Sequence, residues 1–109
     1  MLTDTADSCR IRLPDTLTIR TIAPVRDDLL HALQNQDSVI IDIADDAEGD
    51  LSLLQLLESA RIYAGTAGKS ITLARPAGGR IADLLAASGF RDAMSANDAK
   101  FWFHQGDFQ

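Results

Sequence analysis

The sequence predicts an α/β fold, a mixed sheet of about four to five strands with helices packed against it. Three observations carry this expectation. Residues 9–13 and 17–22 alternate apolar and polar side chains, residues 38–43 form a nearly continuous β-branched apolar run, and residues 51–64 are rich in leucine at helical spacing. The chain has 109 residues, 46% of them hydrophobic, the size of a single domain with one core.

The first seven residues are polar and are expected to form a flexible N-terminus ahead of one domain spanning 8–109. Cys9-Arg10-Ile11-Arg12-Leu13 reads as a half-exposed strand, and Pro14-Asp15 as a turn. Leu17 to Ile22 resumes the alternation, so the two segments suggest an antiparallel hairpin. Ala23-Pro24 then opens a helix, with Val25, Leu29, Leu30 and Leu33 on one face.

Ser38-Val39-Ile40-Ile41-Asp42-Ile43 suits a central strand covered on both faces. An acidic loop, Ala44 to Asp50, leads into the strongest helix, which carries Leu53, Leu54, Leu56, Leu57, Ala60 and Ala64 and ends near Gly65 or Gly68. Lys69 to Ala74 is a further short strand, stopped by Pro76. A helix starts at Gly78-Gly79, with Ile81, Leu84 and Leu85 at i, i+3, i+4 spacing, and Gly89 is placed as its C′ residue with Phe90 behind it. Lys100-Phe101-Trp102-Phe103-His104 reads as a strand or a docked turn, its aromatics and Phe108 packed back onto the domain.

Composition excludes several functions. A net charge of −6 with no basic stripe argues against nucleic-acid binding. No apolar run reaches the about 20 residues of a membrane-spanning helix, so membrane insertion is not expected. The N-terminus has neither a basic segment nor an apolar one, which makes the cytoplasm the expected compartment. The single cysteine, Cys9, and two histidines, His31 and His104, support no thiolate zinc site. The acidic loop lacks the glycine and glutamate that a calcium loop requires, since the sixth and twelfth positions from Asp42 are Ala47 and Leu53. Gly68-Lys69-Ser70 precedes a strand rather than a helix and is no phosphate loop. No nucleophile with a base can be assembled, so no catalytic residue, metal or cofactor is expected and the chain is not read as an enzyme.

The element order, together with Asp50-Leu51-Ser52-Leu53-Leu54-Gln55-Leu56-Leu57, resembles the STAS domain of anti-sigma-factor antagonists. The resemblance covers roughly residues 8 to 90, and the leucine-rich form is also similar to a STAS subgroup associated with chemotaxis-type signalling. In the family, an Asp-Ser-Ser/Thr-Gly-Leu motif opens this helix, and its second hydroxyl residue is phosphorylated by a partner kinase that is also an anti-sigma factor. The resemblance therefore implies Asp50 as the motif aspartate, Ser52 as the phospho-acceptor and Leu54 as the helix anchor. Leu51 replaces the first hydroxyl residue and Leu53 the glycine. It implies a partner surface at Asp50, Leu51, Ser52, Leu53 and Gln55, bound by a histidine-kinase-like or anti-sigma-factor protein. A constitutive, non-phosphorylated STAS subunit of a membrane lipid-transport complex is the alternative it leaves open.

Local chemistry gives Ser52 a second role. Ser52-Leu53-Leu54-Gln55 fits the S-x-x-Q capping box, and Asp50 is an alternative cap two residues earlier.

Overall fold

The computed structural model describes residues 8–104. The expected flexible segment 1–7 and the packing of Phe108 lie outside the described residues. Strands β1 (Ser8–Arg12), β3 (Ser38–Asp42) and β5 (Ser70–Leu73) form one sheet in the order β1-β3-β5. Both pairings are parallel, with Ile11 opposite Ile41 and Ile41 opposite Leu73. Parallel neighbours need crossovers, supplied by α1 (Ile22–Asn35) between β1 and β3 and by α2 (Leu51–Ala67) between β3 and β5. Two further strands, β2 (Thr16–Leu17) and β4 (Glu48–Gly49), pair with each other, also in parallel. The α/β class stands, with five strands among the described residues and helices packed on them.

The antiparallel hairpin expected of residues 9–22 does not form, and every strand pairing among the described residues is parallel. The chain leaves β1 with Leu13 N–H still donating to the Asp42 carbonyl at 2.9 Å. It then passes to β2, which stops at Leu17. There the Thr21 hydroxyl accepts from Thr18 N–H (3.0 Å) and donates to the Thr16 carbonyl (2.9 Å). These side-chain bonds replace ladder bonds and fold Thr18–Thr21 into a turn.

Helix α1 begins at Ile22, so Pro24 sits in the first turn, where its missing N–H has no intrahelical partner to lose. Val25, Leu29, Ala32 and Leu33 are its buried stripe. Leu30, expected on that stripe, stays 43% exposed at its edge. Helix α2 ends where Gly68, in the left-handed conformation at φ 71°, caps it.

Val39 and Ile41 point from β3 into a single hydrophobic core that runs from Leu13 to Trp102. The opposite face of β3 is not covered by helices as expected. Ile40 is half-buried there, between the exposed Arg10 and Thr72 on the neighbouring strands.

Helix α3 (Gly79–Ala87) buries Ile81 and Leu85. Its glycine pair serves close approach. Gly79 has φ 53°, and a Cβ there would lie 2.1 Å from the Asp45 carbonyl oxygen. Gly89 takes φ 85° just past the helix, as expected of a C′ residue.

The aromatic tail is neither strand nor turn but helix α4 (Ala96–Phe103). Ser95 and Asp98 form a reciprocal capping box at its start, and this local signal outweighs the β-propensity of Phe-Trp-Phe. Helical spacing buries both Phe101 and Trp102, edge to face at 5.1 Å, where a strand would have separated them. The tail is docked: Trp102 Nε1–H donates to Glu58 at 3.2 Å, and Ala77 N–H donates to the Trp102 carbonyl at 2.6 Å. Arg61 bridges Glu58 (2.7 Å) and Asp98 (3.0 Å) while lying over the Phe101 ring, so α2 and α4 are tied by charge as well as packing.

Candidate functional site

The entrance to α2 is organised by one carboxylate. Asp50 is the N-cap, and its Oδ1 accepts from both the Ser52 N–H (3.0 Å) and the Ser52 hydroxyl (2.5 Å). Its other oxygen accepts from the backbone N–H of Ile19 at 3.0 Å. The Ser52 hydroxyl and then the Ile19 N–H hold the Asp50 carboxyl below its ordinary range, against the opposing effect of desolvation. Of the two caps the sequence allows, Asp50 is the one used. Ser52 sits in the first turn, and Gln55 projects outward without closing a capping box.

Four of the five expected surface positions lie together at this entrance. Leu51 is 47% exposed, Gln55 is exposed, and Asp50 and Ser52 are half-buried. Leu53 differs from the expected surface position: its side chain is fully buried in the core. The space it fills lies against Gly49, where a Cβ would come within 3.0 Å of Leu53 Cδ2 and 3.3 Å of Ile81 Cδ1. The leucine that stands where the family motif has glycine thus packs inward, one turn of chain after a glycine that makes room for it.

From Ser52 a groove of about 440 Å³ runs between α1 and α2. Its walls include Ile19, Ile22, Leu30, Leu56 and Tyr63, with Ser52 among them. Ile19 is 71% exposed, held in place through its N–H on Asp50. This groove is the part of the site that sequence reasoning missed. Helical spacing assigns Leu30 and Leu56 to buried stripes, whereas both border the groove; the excess of leucines over what one helix face can bury was the available signal.

The other sequence candidates are placed elsewhere. His31 is exposed on α1, with its carbonyl accepting from the Asn35 side chain, and His104 Nε2 contacts the Leu73 carbonyl. In the acidic loop, Asp45 pairs with Arg75 and Glu48 with Arg80. Among the described residues, no group of three or more His, Cys, Asp or Glu side chains is arranged to hold a metal ion. No helix among them is long and apolar enough to cross a membrane. The groove is mostly apolar, and one of its lining residues, Ser52, is bonded to the Asp50 carboxylate.

A small parallel sheet and two crossover helices, with a capped helix entrance beside a groove, make up an α/β domain of the kind expected for the STAS class. A family model described as "Mlab, STAS domain" matches residues 1–95, and the chain belongs to that family. The match ends one residue before α4, so the helix that carries Phe101 and Trp102 follows the family-matched stretch. No curated protein and no solved structure matches the chain.

Proposed function

We propose that this STAS domain is a regulatory, partner-switching module that binds a histidine-kinase-like or anti-sigma-factor protein through the α2 entrance, with Ser52 as phospho-acceptor. The observation that carries this reading is Ser52, a half-buried residue lining an apolar groove, whose hydroxyl is bonded to Asp50. A phosphate at Ser52 would place about −1.5 to −2 charges beside an ionised carboxylate. Repulsion would then break the Asp50 cap and free the Ile19 N–H that this carboxylate holds. Both a charge and a change in groove shape would meet the partner.

A second reading, the constitutive subunit of a membrane lipid-transport complex, draws support from Leu53 and from the Ser52 hydroxyl bond. The motif glycine that would let a kinase approach is replaced by a core leucine, and the hydroxyl is already engaged in the cap. Isothermal calorimetry with the protein that co-purifies with the tagged chain separates the two, alongside the intact mass of the chain isolated from cells. The switching reading expects a phosphorylated fraction, unchanged affinity for Ser52→Ala and weakened affinity for Ser52→Asp. An unphosphorylated chain whose affinity is the same in both variants supports the constitutive subunit instead.

A further inference from the structure

The sheet face turned away from α1 and α2 carries a feature that the groove does not use. Arg10 and Arg12 project from β1, Arg75 follows β5, and all three guanidiniums reach the Asp42 carboxylate, at 3.4, 3.5 and 3.5 Å. Arg75 also meets Asp45 at 3.6 Å and donates to the Ile43 carbonyl at 2.9 Å. Three cations thus share two carboxylates in a chain whose overall charge is −6. Asp42 is nearly buried while the arginine side chains are 62%, 63% and 49% exposed, so the carboxylate anchors the guanidiniums from below and leaves them facing solvent. Each guanidinium has five N–H donors, and Arg10 and Arg12 each spend one on Asp42.

We propose that this face docks an extended acidic segment of a partner protein, with carboxylates at alternate positions lying over Arg10 and Arg12. The two arginines are two residues apart on one strand, so their Cα atoms are separated by about 6.5–7 Å, the same repeat as alternate side chains of an extended peptide. β1 is also the edge of its sheet, with no strand beyond it among the described residues. An extended chain can therefore run beside or across it. An anionic membrane or a nucleic acid is disfavoured by the same charge balance: the acidic remainder of the molecule would be repelled by any large polyanion, whereas a short segment meets only the arginine face.

The test uses the full chain and two fluorescent peptides of equal length, Thr-Glu-Thr-Glu-Thr-Glu-Thr and Glu-Thr-Thr-Glu-Thr-Thr-Glu, read by anisotropy at low and high salt. The alternating peptide is expected to bind several-fold more tightly. That binding should weaken as salt rises and fall about tenfold in R10S/R12S, whose circular dichroism stays that of the parent. Asp42→Asn, which removes the competing carboxylate, is expected to tighten it. Equal binding of the two peptides, or unchanged binding by R10S/R12S, would overturn the proposal. So would binding to phosphatidylglycerol vesicles in the absence of peptide binding.

Discussion

Asp50 and Ile19 are joined across 31 residues of chain by a 3.0 Å hydrogen bond from the Ile19 backbone N–H to the Asp50 carboxylate. The bond fastens the turn before α1 to the start of α2. It also makes one wall of the groove depend on the residue that caps the second helix and binds the Ser52 hydroxyl. A charge introduced at Ser52 is therefore two hydrogen bonds from Ile19.

Asp50→Asn is expected to lower the melting temperature at neutral pH, and the loss should depend on pH in a defined direction. The folded carboxyl titrates below its ordinary value of 3.8, so its ionised form is favoured by folding. The stability it contributes is fully present above pH 3.8 and is lost as pH falls through the lower folded value. Melting curves of parent and variant should therefore converge below pH 3.8. A gap that stays constant down the acid limb would show that the cap does not act through its charge.

Two glycine substitutions should move stability in opposite directions. Gly79→Ala needs a left-handed residue and a Cβ at 2.1 Å from the Asp45 carbonyl oxygen, so the β3–β4 loop or α3 must shift and the melting temperature should drop clearly. Gly65 lies inside α2, and a methyl group added there would meet nothing within 4 Å. Gly65→Ala should add about 0.5–1 kcal/mol in urea unfolding.

Trp102→Ala is expected to cost about 3–5 kcal/mol, because it empties a fully buried site and removes the donor to Glu58. Urea unfolding followed by circular dichroism measures this. A loss below about 1 kcal/mol would mean that α4 is not integral to the fold.

Much of the fold was legible because periodicity reports burial. The run at Val39–Ile41 placed the central strand, and the Leu53, Leu57, Ala60 and Ala64 spacing placed α2. Strand pairing was not legible. Alternation in 17–22 describes side chains, while the fate of that segment was decided by the Thr21 hydroxyl, which no hydrophobic pattern encodes. The tail failed similarly: three adjacent aromatics have high β-propensity, but the Ser95–Asp98 box nucleates a helix ahead of them. At the candidate site, the motif residues differ in burial, with Leu51 and Gln55 exposed, Asp50 and Ser52 half-buried and Leu53 buried, because a motif records order and not direction. The groove required two helices in contact, and a single chain pattern cannot show which leucines the contact leaves uncovered.

The proposed partner-binding surface is the α2 entrance with the adjoining groove. Hydrogen–deuterium exchange of the chain with and without its co-purified partner tests it directly. Slowed exchange is expected in residues 19–30 and 50–57 on binding, and Leu30→Glu, on the groove wall, should abolish both the protection and the complex. Protection confined to the sheet face or to α4, with Leu30→Glu binding as the parent does, would contradict it.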